Sequence, residues 1–336
     1  MSGWKSCSLT SLHHTKQLLS CVIAAGHDQA VALAGSEITP EMLADLTRKI
    51  KIVDEYVVYR NVNAMLPERN IALEIGLNAR VSVYGLLGYA LLTANTLREA
   101  LKVAAEFPAL IANGFALSLE ETGGKARLIF SGYSGASDLK VSYAELAISS
   151  FKRSCSDILG KDLILEGVTF EGSVLPSHAA RCEGYLGCAI SYSQPRNMMV
   201  FDAALLDEYL PMRDAVSHLE VIEACRRQNR EYAAEREWLH RVKVILERDL
   251  QSPAPLEEVA RQMHCSARTL RRQLGVFKTS YRQILDEVRF EKAKLMLKDG
   301  KLHTDQIAER LGFCDGAGFR RAFQRWSGLA PGAYKA

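Results

Sequence analysis

The chain has 336 residues, 48% hydrophobic and 24% charged, which suits two or three globular domains and excludes a disordered or fibrous polymer. Its formal net charge is only +3, but residues 239–336 hold 19 Lys+Arg against 11 Asp+Glu, a net of +8 that leaves −5 on the first 238. A basic tail on an acidic body is the footprint of a nucleic-acid module joined to something else. No stretch approaches the roughly 18 consecutive apolar residues of a membrane span.

In chain order, residues 8–25 read as a helix, with Leu9, Leu12, Leu18, Leu19 and Val22 on one side. Leu18-Leu19-Ser20-Cys21 resembles a lipoprotein cleavage box, but Ser11 to Gln17 is polar where an export signal needs an apolar run, so a cytoplasmic protein is expected. Thr39-Pro40-Glu41 starts a second helix, with proline in its first turn. Leu86–Ala94 and Thr96–Phe107 are apolar helical segments separated by Asn95. Phe115–Leu119 and Lys125–Tyr133 alternate as a hairpin around Gly123-Gly124. A long amphipathic helix follows over Ser142–Leu159, closed by Gly160, then strands at Leu163–Phe170, Ala189–Tyr192 and Met198–Phe201. Met212–Arg236 is charge-rich and free of glycine, a helical connector.

Signals for chemistry are poor. Gly132-Tyr133-Ser134-Gly135 falls one residue short of a nucleophile elbow, and Gly123-Gly124-Lys125 and Gly312–Gly318 lack phosphate-loop spacing. His13-His14 has no further ligands nearby in sequence, and Glu120-Glu121 beside a turn is by default a solvated pair. The eight cysteines are scattered, with no CxxC and no histidine at zinc-finger spacing, so reduced and mostly buried thiols are expected rather than a structural zinc site. Cys265 and Cys314, at the turns described next, leave a redox switch open as an alternative. No catalytic residue, cofactor or metal is assigned.

The last hundred residues contain an internal repeat of about 48 residues. Val259-Ala260-Arg261-Gln262-Met263 leads to Leu270-Arg271-Arg272-Gln273-Leu274, and Ile307-Ala308-Glu309-Arg310-Leu311 leads to Phe319-Arg320-Arg321-Ala322-Phe323. Two short helices crossing steeply need a small residue at the crossing, supplied by Ala260 and Ala308. They also need apolar anchors at i and i+4 of the second helix, supplied by Leu270/Leu274 and Phe319/Phe323. With those buried, Arg268, Arg271, Arg272, Arg320 and Arg321 face outward, where paired arginines can read guanine edges and hold phosphates. The plain alternative is a solvated basic face on a helical bundle; repetition of the pattern favours double-stranded DNA. Between the copies, Ser280–Leu297 reads as a helix capped by Ser280 and stopped by Asp299-Gly300. At about 1.5 Å per residue it spans about 25 Å, suited to setting two recognition helices one DNA turn, about 34 Å, apart.

These residues carry a resemblance. Trp238–Lys335 resembles the AraC/XylS-type DNA-binding domain, with Ile307-Ala308, Leu311-Gly312-Phe313, Phe319, Ala322-Phe323, Trp326, Gly328, Pro331 and Tyr334 as its closing signature. The resemblance implies seven helices, with recognition helices near Ser266–Leu274 and Ala317–Trp326. It places base-reading positions on Arg268, Arg271 and Arg272 in the first copy and on Gly316, Ala317, Arg320 and Arg321 in the second. Thr269 joins the DNA-contacting set, and Lys278 and Arg325 are expected phosphate contacts. Three positions depart from the family pattern: Lys278 stands where glycine is usual, Cys314 where serine is usual, and Gly316-Ala317-Gly318 offers almost no side chain to bases. The first copy is therefore expected to carry most of the sequence information, the second acting through phosphates and groove shape.

Gly85-Leu86-Leu87-Gly88-Tyr89-Ala90, Thr96 to Leu101 and Asn197 to Pro211 resemble the arabinose-binding-type effector domain found ahead of some AraC-type regions. That implies a domain that senses a small molecule and often dimerises. Tyr56, Tyr59, Tyr84, Tyr89 and Phe107 could line its pocket, or be plain core. The expected fold is an α+β sensor domain followed by an all-α domain with two helix-turn-helix motifs joined by a linker helix. Its parts are an effector-sensing and dimerisation domain at 8–210, a helical connector at 211–236 and a DNA-binding domain at 237–336. The expected function is a non-enzymatic, sequence-specific transcription regulator modulated by a small-molecule effector and working with RNA polymerase, with no membrane partner. Two alternatives are a repair enzyme borrowing the same DNA-binding module, whose reactive Pro-Cys-His-Arg motif is missing here, and a regulator controlled by a protein partner.

Overall fold

The computed structural model describes residues 9–45, 48–111, 114–277, 279–327 and 330–334. Lys278, Gly328 and Cys7 lie outside the described residues. The chain forms two compact units, divided between Arg230 and Glu231.

In the first unit, strand β1 (Leu9–Ser11) pairs antiparallel with β2 (Lys49–Lys51). Helices α1 (His13–Ala24), α2 (Gln29–Leu33) and α3 (Pro40–Ala44) lie between them in sequence. There follow α4 (Ile52–Met65), α5 (Ile71–Asn78), α6 (Leu86–Thr93), α7 (Leu97–Glu106) and α8 (Pro108–Ile111). Side-chain caps set several starts: Asp28 accepts from Ala30 N–H, Thr39 from Met42 N–H and Thr96 from Glu99 N–H. Strands β3 (Ala116–Thr122) and β4 (Lys125–Ser131) form the hairpin, its turn made by Gly123 and Gly124 at φ 60° and 72°. Both angles are what a two-residue primed turn requires. Then come α9 (Lys140–Leu159), β5 (Gly167–Thr169), α10 (Pro176–Leu186), β6 (Ile190–Ser191) and β7 (Asn197–Asp202).

The larger sheet has the order β3-β4-β7-β5-β6, antiparallel except for the β5–β6 pair. Helix α9 is the centre of the unit, with 14 of its 20 residues buried, and it ends on Gly160 in the left-handed conformation. It packs against α5 so closely that a Cβ on Gly76 would lie 2.9 Å from the carbonyl oxygen of Leu146. Phe107, Phe130, Phe151, Phe170 and Phe201 are fully buried in this core. Each stabilises the fold by about 2–3 kcal/mol relative to exposure.

Helix α11 (Ala215–Glu247) begins in the first unit and ends in the second. The second unit continues with α12 (Leu256–Gln262), α13 (Ala267–Val276), α14 (Tyr281–Asp299), α15 (Thr304–Arg310), α16 (Gly316–Ser327) and α17 (Pro331–Tyr334). With the end of α11 these make the seven helices that the resemblance implied, and among its described residues the unit has no strand. Its core joins Val259, Ala260, Leu270, Leu274, Ile284, Val288, Ile307, Ala308, Phe319 and Phe323. The α+β-then-helical fold class expected from the sequence is the one observed.

Several elements differ from the sequence reading. Residues 9–11 form a strand rather than the start of a helix, because their backbone pairs with Lys49–Lys51 some forty residues away. The strand expected over Leu163–Phe170 is confined to Gly167–Thr169, where β6 and β7 supply partners on both sides. Helices α4, α5 and α10 were not anticipated. In α4 the buried face includes Asp54 and Glu55, which breaks the apolar period; α5 is apolar on nearly every side; α10 buries only Cys182 and Leu186.

Candidate nucleic-acid interface

The two repeat copies fold alike, residue by residue. In the first, α12 ends on Met263, and the Cys265 N–H closes the turn on the Ala260 carbonyl at 2.9 Å. In the second, α15 ends on Leu311 and the Phe313 N–H closes on the Ala308 carbonyl, also at 2.9 Å. Each turn holds one residue in the left-handed region, His264 at φ 55° and Gly312 at φ 70°. Each second helix then starts at a side-chain cap: Ser266 accepts from Thr269 N–H, and Asp315 from Gly318 N–H at 2.6 Å. The single residue by which the spacings differ is accommodated before Asp315, at Cys314.

The apolar anchors are buried as their spacing required, Leu270 and Leu274 on α13 and Phe319, Ala322 and Phe323 on α16. The opposite faces carry the arginines. Arg268, Arg272, Arg320 and Arg321 are exposed, and among the described residues none has an ion-pair or hydrogen-bond partner. Arg271 lies 3.3 Å from Glu257, both side chains being about two-thirds exposed (65% and 67%), a pair too solvated to hold it strongly. Arg325 meets Asp286 of α14 at 3.1 Å. The Thr269 hydroxyl lies 2.9 Å from Ser266 Oγ, within the cap of α13.

The amino-terminal ends of the two helices differ. On α13, Arg268 projects from the first turn. On α16 the corresponding residue is Ala317, half-buried, and Gly316 before it is buried. A Cβ on Gly316 would collide with the Asp305 carboxylate of α15. Asp305 and Asp315 thus place two acidic side chains beside the start of α16, a site that would otherwise favour a phosphate. The glycine-rich start expected from sequence to be poor at reading bases is also crowded and acidic, which the sequence reading missed because Asp305 and Gly316 are eleven positions apart.

The turn of the second copy is stapled from behind. Arg289 of α14 donates from Nη2 to the Gly312 carbonyl at 3.1 Å, and its guanidinium lies 4.8 Å from the centre of the Phe313 ring. Burial lowers the pKa of this arginine from its ordinary value. A Cβ on Gly312 would collide with the Leu250 carbonyl oxygen and lie 2.7 Å from that of Gln251. Lys243 and Glu287, both nearly buried, pair at 2.9 Å and tie α11 to α14 within the second unit.

The family "Arabinose-binding domain of AraC transcription regulator, N-term" matches residues 26–210, and "Helix-turn-helix domain" matches residues 259–336. The chain is an AraC-family transcription regulator. Members of this family bind DNA and are not enzymes. This AraC-family chain is 28% identical over 332 residues to the ornithine utilization regulator of Pseudomonas aeruginosa, covering 97% of this chain and 96% of that one. It is 26% identical over 337 residues to an uncharacterized HTH-type transcriptional regulator of Mycobacterium tuberculosis, covering 96% and 95% of the two chains. Among solved structures, the transcriptional regulator CdpR of Pseudomonas aeruginosa aligns over 98% of this chain and 99% of that one, at 19% identity and a TM-score of 0.46.

In the regulator's first unit, the five aromatic residues that could line a pocket or be plain core are placed as follows. Tyr56 and Tyr59 pack against Tyr143, with ring centres 5.3 and 5.4 Å apart, and Tyr84 packs against Phe151. Phe107 is buried in the core, whereas Tyr89 is exposed. Beside the Tyr56–Tyr143–Tyr59 cluster lies a buried carboxylate, Glu55, whose Oε1 accepts from the Tyr143 hydroxyl at 3.0 Å. Its Oε2 has no hydrogen-bond partner among the described residues. No helix among the described residues is long and apolar enough to cross a membrane.

Proposed function

We propose that this regulator binds double-stranded DNA sequence-specifically, with α13 as the principal reader and α16 as a second, mainly phosphate-directed contact. The observation that carries the reading is the unequal pair of arginine faces. Arg268, Arg271 and Arg272 stand on a helix whose first turn is open, with Thr269 beside them. Ala317, Arg320, Arg321 and Arg325 stand on a helix whose first turn is crowded by Asp305 and Asp315. Guanidinium forks reading guanine O6 and N7 suit the first; on the second, phosphate contacts fall to Arg320 and Arg321, beyond the acidic first turn. In this reading residues 237–336 form the DNA-binding domain, 211–236 the connector and 8–210 an effector-sensing and dimerisation domain. The protein acts in the cytoplasm with RNA polymerase. Lys278 completes the phosphate contacts by its place in the motif.

The test is selection of bound fragments from genomic DNA by the full-length protein at moderate salt. Two conserved blocks about one helical turn apart, the richer lost on Arg268→Ala, are expected. Salt-sensitive binding without any motif would reduce the arginines to a basic face.

A small-molecule effector then shifts the regulator between two arrangements that it binds unequally. The buried Glu55 supports a cationic effector: its Oε1 meets the Tyr143 hydroxyl and, at 3.7 Å, the His14 ring, but its Oε2 has no hydrogen-bond partner among the described residues, and a ligand ammonium group would satisfy it. One relative is named for ornithine utilization, and ornithine carries such groups. Titration of the full-length protein with ornithine should raise its melting temperature, and Glu55→Gln should abolish the rise. An unchanged response in a folded Glu55→Gln protein would move the effector site elsewhere.

A further inference from the structure

Apart from the DNA face and Glu55, the described residues of the first unit hold one cluster of metal-ligating side chains that neither role uses. Glu145 comes from the central helix α9. His178 and Cys182 come from α10, at i and i+4, so both lie on the face turned towards α9. The carboxylate, the imidazole nitrogen and the thiol sulfur all lie within 4.8 Å of one another. His178 Nε2 is 2.8 Å from Glu145 Oε1. We propose that Glu145, His178 and Cys182 bind one divalent transition-metal ion of zinc-like chemistry.

The donor set argues for that class of ion. One thiolate, one imidazole and one carboxylate suit zinc or cobalt, whereas magnesium and calcium take oxygen ligands alone. Two of the three ligands are anionic once Cys182 loses its proton, so a dication leaves the buried site neutral. The balance is simple. The ion enters, the thiol proton leaves to solvent, and the neutral imidazole of His178 exchanges its proton from Nε2 to Nδ1 through solvent, so that the Nε2 lone pair faces the ion.

Burial and the surrounding hydrogen bonds add two independent arguments. Glu145 and His178 side chains are 2% and 27% exposed, so the site is closed inside and open on the histidine side, where an ion can enter. The ligand atoms are also held by neighbours, as outer-shell groups hold the ligands of metal sites. The Tyr192 hydroxyl lies 2.7 Å from Glu145 Oε1 and 3.1 Å from Cys182 Sγ, and Asn70 Nδ2 lies 2.9 Å from the same sulfur. Arg181 in turn donates to Asn70 Oδ1 at 3.3 Å. Among the described residues the buried thiols of this unit differ in their company: Cys155 has no hydrogen-bond partner and Cys21 meets Glu74 alone at 3.8 Å, whereas Cys182 meets both Tyr192 and Asn70. Because α10 buries only Cys182 and Leu186, an ion would clamp a lightly anchored helix to the core of the unit.

The experiment is titration of chelator-treated full-length protein with zinc alone and with cobalt(II) alone. One equivalent should bind, and cobalt should give a thiolate-to-metal charge-transfer band with the visible bands of a tetrahedral site. Cys182→Ser should remove the charge-transfer band, and Cys314→Ser, at an exposed thiol, should keep it. Tyr192→Phe leaves all three ligands and should weaken binding about tenfold. If Cys182→Ser fails to fold by circular dichroism, His178→Gln serves instead, with loss of one-equivalent binding expected. Absence of saturable binding by the unmodified protein, or a charge-transfer band that survives in folded Cys182→Ser, would overturn the site and leave the side chains as a hydrogen-bonded chain only. Neither result bears on DNA selection, so the two proposals fail separately.

Discussion

The two helix-turn-helix copies share one backbone plan and differ in what surrounds it. In the first, the left-handed turn position is His264, exposed to solvent; in the second it is Gly312, pressed against the carbonyls of Leu250 and Gln251. In the first, the recognition helix begins with Ser266 and projects Arg268; in the second it begins with Asp315 and buries Gly316 against Asp305. Repetition of an apolar pattern therefore fixes a scaffold twice without fixing its use twice. The second copy is the more constrained and the less articulate.

The largest expected effect tests the constraint. Gly312→Ala combines a left-handed residue with a collision against backbone that cannot yield, and should destabilise the protein by about 3 kcal/mol in chemical denaturation. His264→Gly meets no such neighbour and should change stability by less than about 1 kcal/mol. Comparable losses from the two would mean the turns are not differently packed.

Next come the arginines. Arg268→Ala or Arg272→Ala should cost about 1–3 kcal/mol of specific affinity and relax preference at one position of the bound motif. Arg320→Ala and Arg321→Ala should weaken binding to all sequences alike and lower the salt dependence by about one unit each. The comparison breaks if Arg271→Ala and Arg321→Ala erode sequence preference equally.

A smaller gain is expected from Ala317→Arg, which copies Arg268 onto the second helix. It should add base preference to the poorer block worth about 1 kcal/mol, read by repeating the fragment selection. Smallest of all, Arg325→Ala should reduce affinity by a few tenths of a kcal/mol, because Arg325 is held by Asp286 at the helix surface before any DNA arrives. Quantitative gel-shift titration at fixed salt would measure it.

The second unit was legible in the sequence because its signals are local. Ala260 and Ala308 at the crossings, Leu270/Leu274 and Phe319/Phe323 at i and i+4, and Ser280 and Gly300 at the ends of α14 can each be read within a turn or two. The Gly-Gly hairpin and α9 were legible for the same reason. What could not be read depends on distant partners. β1 exists because residues 49–51 pair with it, and Gly316 is buried because Asp305 fills the space above it. The Glu145–His178–Cys182 cluster had one local trace, histidine and cysteine four apart, but α10 has too small a buried face to be recognised as the helix that makes this spacing meaningful.

The Asp305–Gly316 contact also bears on how the regulator can change over generations. Single substitutions at Arg268, Thr269 or Arg272 alter an exposed surface and can be sampled one at a time. At Gly316 a side chain must first displace the exposed Asp305 carboxylate, so a new base contact there asks for one more adjustment than on α13. Under the proposed reading, the target sequence should drift more readily in the block assigned to α13 than in the block assigned to α16.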